Sequence, residues 1–217
     1  VKITILTDSP KSWFIPFGRQ LQEQLQSAGH ETDYVFSAAD VPPGDLCFLL
    51  SCVRLVPASV LALNKKNIVV HASDLPQGKG FSPLQWQIAE GRNEIVLTLF
   101  EVVEAVDAGP YYLKETMRFD GSELLEELHR KMARAIIDLC VRFVAQYHEL
   151  QPIEQSGAES FYRRRTAADD ELDVNKTIAE QFDHLRIANN DTYPLYFNYK
   201  GNKYILKIYK AEDATGK

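Results

Sequence analysis

Two short stretches leave a strand no polar face: Leu46-Cys47-Phe48-Leu49-Leu50 and Ile68-Val69-Val70. A strand that is apolar on both sides is buried on both sides, which is the position of an inner strand in a parallel sheet with helices above and below. The segments around them fit that frame. Lys2 to Thr7 reads as a first strand. A helix follows, with Phe14, Phe17, Leu21 and Leu25 at helical spacing, Ser12 placed to cap it, Pro16 in its first turn and Gly29 at its end. His30 to Phe36 is a second strand, Asp40 to Gly44 a turn, and Leu46 to Ser51 the third strand. A short helix from Val56-Pro57 to Leu63 leads to a strand ending at His71. This alternation predicts an α/β fold with a Rossmann-like, doubly wound, mostly parallel sheet. No Gly-x-Gly-x-x-Gly follows the first strand, so the shape does not imply a dinucleotide.

Ser82 to Gly91 predicts a short helix with Trp86 and Ile88 or Ala89 inward, and Glu94 to Val103 another strand. Tyr111 to Phe119 is one more extended segment. Asp120 and Ser122 are competent N-caps for a long helix whose stripe runs Leu124, Leu125, Leu128, Met132, Ala135, Ile136, Leu139 and Phe143. After Leu150 the composition turns polar. Residues 1–150 are therefore expected to form the main domain and 151–217 a C-terminal extension. In the extension, 151–173 is a connector and Asn175 to Ile187 is helical, with Ile178, Phe182 and Leu185 on one face. Tyr193 to Tyr209 alternates around Lys200-Gly201-Asn202 and predicts a β-hairpin. The tail after Glu212 is expected to be disordered.

The 217 residues carry a formal net charge of −6, with basic residues scattered apart from Arg163-Arg164-Arg165. That argues against nucleic acid as a partner, which calls for a basic surface. No apolar run is long enough to span a membrane. Val1 leads straight into a strand pattern with no leader-like segment, so a cytoplasmic location is expected. Three cysteines, Cys47, Cys52 and Cys140, sit in apolar or helical contexts and read as free buried thiols. No Cys/His spacing suggests a metal, and none is expected.

The chemistry centres on the end of the fourth strand. Ligands of open α/β sheets bind where strands end at their carboxyl edge. His71 stands there, before a turn-rich segment with Pro76, Gly78, Gly80 and Pro83, and Asp107-Ala108-Gly109 follows on a later loop. An imidazole and a carboxylate can form a proton-transfer pair. From the residues alone, a structural histidine and an ordinary Asp-Ala-Gly turn are the stronger reading. His30, His129, His148 and His184 read as structural. Ser73 lacks the Gly-x-Ser-x-Gly elbow of a nucleophile. The arginine triplet either binds an anion or is solvated.

The ordered set His71-Ala72-Ser73-Asp74-Leu75-Pro76, Gly80, Thr98 and Asp107-Ala108-Gly109 resembles the folate-dependent formyltransferases. Asp74, with Gly80-Phe81-Ser82-Pro83 and Trp86, resembles the sugar-nucleotide N-formyltransferase branch. So do Phe161-Tyr-Arg-Arg-Arg-Thr166, Leu185-Arg186, Tyr193-Pro-Leu-Tyr-Phe197 and Lys203-Tyr-Ile-Leu-Lys207. The resemblance implies a formyltransferase sheet with a small helix and β-hairpin extension. It implies transfer of a formyl group from N10-formyltetrahydrofolate to the primary amine of a nucleotide-linked amino-deoxy sugar, as in pseudaminic-acid-type pathways. His71 would relay the amine proton, and Asp107 would fix its tautomer and stabilise its protonated form. Arg54, Leu55, Val56, Phe100, Val103 and Asp107 would line the folate. Trp13, Lys79, Gly80, Arg186 and Tyr193 would meet the sugar nucleotide. The family carries an asparagine two residues before this histidine as oxyanion donor, and here that residue is Val69. Asn67 lies two pleats further back, roughly 13 Å, and is not assigned to catalysis. Rival readings are a glycinamide-ribonucleotide-like acceptor and a non-catalytic folate or sugar-nucleotide binding module. A tRNA acceptor is disfavoured by the charge and by the lack of a large basic C-terminal domain. Aromatic residues on the hairpin are consistent with a homodimer.

Overall fold

The computed structural model describes residues 1–211; the expectation for the tail after Glu212 lies outside the described residues. Six strands form the main sheet in the order β2-β1-β3-β4-β6-β7. They are β1 (Lys2–Leu6), β2 (Glu31–Val35), β3 (Gly44–Leu49), β4 (Asn64–His71), β6 (Glu94–Glu101) and β7 (Tyr111–Arg118). The pairs β1–β2, β1–β3 and β3–β4 are parallel. β6 pairs antiparallel with both β4 and β7, so it is the reversed strand of a mostly parallel sheet. The fully apolar runs predicted to be inner strands are β3 and β4, which lie side by side at the centre.

Helices cover both faces. On one side α1 (Ile15–Ser27) and α4 (Leu125–Ala145) pack over Ile3, Ile5, Phe48, Ile68, Leu97 and their neighbours. α3 (Pro83–Ala89) joins this layer through Leu84 and Ile88. On the other side a smaller cluster of Leu6, Val41, Cys47 and Leu49 is closed by α2 (Ala58–Leu61), Val56, Val69 and Val102. Thus Val69, and with it His71 two residues on, faces the α2 side. Burial pushes the thiols of Cys47 and Cys52 up to about 12, which keeps them uncharged.

The helix ends differ in detail from expectation. Ser12 stands two residues ahead of the N-cap position, Phe14, whose N–H its hydroxyl accepts. Asp120 and Ser122 do not cap α4; they form a turn of their own, and Glu127 reaches back to the Leu124 N–H. Trp86 turns outward on α3, because Leu84, Gln87 and Ile88 take the buried positions.

The C-terminal segment builds a second small core of Leu172, Leu185, Ala188 and Leu195. It contains α5 (Phe182–Arg186) and the antiparallel pair β9 (Leu195–Tyr199) and β10 (Asn202–Leu206). Lys200 and Gly201 alone make the turn, both at positive φ, as a two-residue hairpin requires, and Asn202 already belongs to β10. Ile178 is exposed rather than packed with Phe182 and Leu185. Among the described residues no helix is long and apolar enough to cross a membrane.

Arg186 fastens this segment to the main sheet. Its side chain is fully buried. It donates to the Glu123 carbonyl at 3.1 Å, to Asn93 at 2.8 Å, to Asp183 at 2.7 Å and to the Glu123 carboxylate at 3.1 Å. The expectation that Arg186 meets substrate is corrected: all three of its guanidinium nitrogens donate to protein and the side chain is fully buried. Removing one partner of a buried, hydrogen-bonded ion pair costs about 3–5 kcal/mol. Arg186→Ala should lower stability by that order in urea titrations.

His129 supplies a second test. It lies on α4, stacked on Trp13 with ring centroids 4.1 Å apart. Burial pushes its imidazole down from 6.5 to about 4. Between those values the unfolded chain takes up a proton that the folded chain refuses. The stabilisation is therefore complete above pH 6.5 and is lost as pH falls towards 4, by about 3 kcal/mol in all. Denaturation midpoints across that range should fall less steeply in His129→Gln than in the parent.

Candidate functional site

His71 closes β4 and is almost fully buried. Its Nε2 lies 2.8 Å from the Gly78 carbonyl, and its Nδ1 lies 3.9 Å from Asp107 Oδ2. A carbonyl only accepts, so Nε2 carries the hydrogen and Nδ1 keeps its lone pair in the neutral ring. The tautomer is set by Gly78 and not, as expected, by Asp107. Asp107 Oδ2 instead accepts the Gly80 N–H at 2.8 Å. The imidazole thus presents a free nitrogen towards a carboxylate that is near enough to stabilise a positive ring but not bonded to it.

The loop bearing Gly78 and Gly80 is held from behind. β5 (Lys79–Gly80) pairs with β8 (Phe161–Tyr162), and the Gly78 N–H donates to Ser160 Oγ at 2.8 Å. At Gly80, φ is +99° and a Cβ would lie 2.3 Å from the Tyr162 carbonyl, so only glycine fits. Thr98, opposite His71 in the sheet, donates to the Ser73 carbonyl at 2.7 Å and pins the first turn after the histidine. The Ser73 hydroxyl is buried without a hydrogen-bond partner beside a polar crevice of about 50 Å³.

The Asp107 loop departs from β6 and returns to β7. Asp107 has φ +50°, a left-handed conformation uncommon for a residue with a side chain. Gln155 secures it, donating through Nε2 to the carbonyls of Asp107 and Gly109 at 2.9 and 2.7 Å. A Cβ at Gly109 would strike the Glu101 carbonyl at 1.7 Å, so this loop also needs its glycine.

All of the residues expected to line the folate except Phe100 fall on two loops. Arg54, Leu55 and Val56 join β3 to α2, where Leu55 is 83% exposed and Val56 packs into the α2-side cluster. Val103 is exposed at the root of the Asp107 loop, while Phe100 is buried in β6. Asp8, missed in the sequence, organises the first loop: one oxygen, Oδ2, accepts both Val53 N–H at 2.9 Å and Arg54 N–H at 2.7 Å. Asp8 lies 45 and 46 residues from its two partners and Gln155 48 and 46, so no local pattern announces them.

The expected substrate contacts disperse. Gly80 stays at the site. Lys79 lies beside it but is buried and bonded to Glu159 at 2.5 Å, which corrects its reading as a substrate contact. Trp13 is committed to packing on His129, Phe14 and Phe17. Tyr193 is exposed at the start of the hairpin, with its N–H on the Asn189 carbonyl. Asn67, left outside the catalytic set, donates its amide to the Leu61 carbonyl at 2.8 Å and so anchors α2. A depression of about 330 Å³ lies against Glu171, Asp173 and Asn198, away from His71. Among the described residues no three His, Cys, Asp or Glu side chains gather as a metal site.

The sequence profile of the Formyl transferase family matches residues 11–144. The chain belongs to the formyl transferase family. It is 29% identical over 170 residues to the methionyl-tRNA formyltransferase of Rickettsia massiliae, covering 77% of this chain and 55% of that protein. The chain therefore spans just over half the length of this curated relative. A methionyl-tRNA formyltransferase structure from Clostridium thermocellum superposes with a TM-score of 0.80 at 18% identity, covering 99% of this chain and 95% of the other. A 4-N formyltransferase from Francisella tularensis gives 0.72 at 18% identity, covering 97% and 98%. HypX from Aquifex aeolicus, solved with tetrahydrofolic acid, gives 0.78 at 17% identity, covering this whole chain and 39% of the other.

The residues matched by the family include His71, Gly80 and Asp107 but end before Gln155 and β8, which hold the two loops in place. Asp8→Ala should release the loop carrying Arg54 to Val56 and speed hydrogen exchange at the Val53 and Arg54 amides about tenfold, with one charge-assisted acceptor lost. Asp8→Asn keeps a single, uncharged oxygen for both N–H groups and should fall between Asp8→Ala and the parent in the same exchange measurement.

Proposed function

We propose that this chain transfers a formyl group from N10-formyltetrahydrofolate to the primary amine of a nucleotide-linked amino-deoxy sugar. The observation that carries the chemistry is the free Nδ1 of His71, left unoccupied by the Gly78 contact and set 3.9 Å from the Asp107 carboxylate. The residues present suit a flat heteroaromatic ring with polar edges. Val53, Leu55, Val103 and Val106 are exposed apolar side chains on the two loops beside the site, and such surface is favourable to cover. Arg54 to Val56 and the Asp107 loop would hold the folate there, and when bound it supplies the activated formyl carbon.

His71 Nδ1 takes the proton that the amine loses as its nitrogen bonds the formyl carbon. Asp107 stabilises the resulting imidazolium, in which both ring nitrogens donate. The new Nδ1–H can then face the negative oxygen and afterwards return the proton to the departing folate nitrogen. Neither Val69 nor Asn67 offers an oxyanion donor in this arrangement, so His71 carries that charge alone. A preorganised donor is worth about 2.7–4 kcal/mol, and slower chemistry than in a site with the asparagine follows from its loss.

The acceptor reading is supported by the motif resemblance, by the acidic chain and by the likeness to a 4-N formyltransferase over nearly the whole of both chains. A second reading, methionyl-tRNA as acceptor, is favoured by the names of the sequence relatives. Incubation with N10-formyltetrahydrofolate and panels of amino-sugar nucleotides and charged initiator tRNA separates the two by mass. Formylated sugar nucleotide is the expected product; formylated tRNA alone, or tight folate binding without turnover, would replace this reading. His71→Ala should reduce turnover at least about a hundredfold with the melting temperature nearly unchanged.

A further inference from the structure

The arginine triplet divides on folding. Arg163 pairs with Asp169, whose carboxyl it holds well below the usual carboxylate range, and lies over the Trp86 ring. Arg165 pairs with Asp170 at 2.6 Å, largely buried, and also lies over Trp86. Arg164 meets no carboxylate among the described residues. Its guanidinium carbon lies 4.3 Å from the centroid of the Phe81 ring.

We propose that Arg164, seated on Phe81, binds the pyrophosphate of the nucleotide-linked substrate. The assignment of the substrate class rests on the function proposed above; the anion chemistry does not. Phe81 directly follows Gly80, whose N–H is held by Asp107, so the pair stands at the rim of the reactive site. The Phe81 N–H donates to the Tyr162 carbonyl at 3.0 Å, which ties the strands carrying ring and guanidinium together. An arginine stacked on an aromatic face keeps its planar fork of donors directed outward, and that fork matches phosphate oxygens in pairs. Phe81 is 44% exposed, a large apolar side chain left open next to the site. The charges around it also favour an anion. Lys79, Arg163 and Arg165 are each matched by a carboxylate, so among the described residues it is Arg164 that leaves this rim positive on an acidic chain. One free cation suits a compact diphosphate. An RNA backbone would call for a track of free cations along the surface.

Calorimetric titration of the full chain with inorganic pyrophosphate, with a series of nucleoside diphosphates and with an RNA stem-loop tests this without turnover. The parent should bind at least one diphosphate, and Arg164→Ala should weaken it roughly tenfold or more. Arg164→Lys should fall between them, and folate-analogue affinity and melting temperature should stay as in the parent. Equal diphosphate binding by parent and Arg164→Ala, or none by the parent, overturns the proposal. Arg164-dependent binding of the stem-loop with no diphosphate binding overturns it in favour of RNA. Arg164-dependent diphosphate binding without formyl transfer to any sugar amine upholds the anion site and removes the proposed reaction.

Discussion

One backbone carbonyl decides which ring nitrogen of His71 is left free. Because the Gly78 oxygen accepts from Nε2, the other ring nitrogen is the one left to take a proton, and it faces Asp107. That contact is only as good as the loop that positions it. Two glycines let the loop bend, the Ser160 hydroxyl takes the Gly78 N–H, and the β5–β8 pairing stops it drifting. Asp107 contributes twice, as a charge beside the ring and as an acceptor for Gly80. The rest of the fold serves to bring three loops, after β3, β4 and β6, to one place.

The two faces of the sheet divide the labour. The α1 and α4 side holds the large core and most of the stability. The α2 side is thinner, and its apolar cluster ends in exposed valines and Leu55 on the loops above it. Such surface is costly to leave in water and favourable to cover with a ligand. Val69 belongs to this smaller cluster, so a methyl-rich side chain packs where the family places an amide.

Much of this was legible in the sequence, and what was hidden shares a cause. Apolar runs and helical stripes announced the strands, the long α4 and the hairpin, since periodicity follows from which face is buried. His71, Gly80 and Asp107 were legible as an ordered motif. Partnership was not. Arg186 and Lys79 look like ligand-binding cations until Glu123, Asp183 and Glu159 are found beside them. Trp13 looks like a stacking platform until His129 covers its ring. Asp8 and Gln155 look like surface residues, because the N–H and carbonyl groups they hold come from distant loops and carry no signature of their own. The same blindness hid the difference among three adjacent arginines.

The dependence of residues 78–80 on residues 160–162 has a consequence for how the protein comes into being. The chain emerges from the ribosome from its N-terminus, and domains generally fold as units in that order. The parallel strands, His71 and Asp107 are all in hand well before the strand that fixes the Gly78 carbonyl has been made. At about 5–20 residues per second, a further several seconds separate the histidine's appearance from its alignment. A nascent chain therefore holds His71 and Asp107 before it holds them in order, and the proposed site is complete only when the C-terminal segment docks.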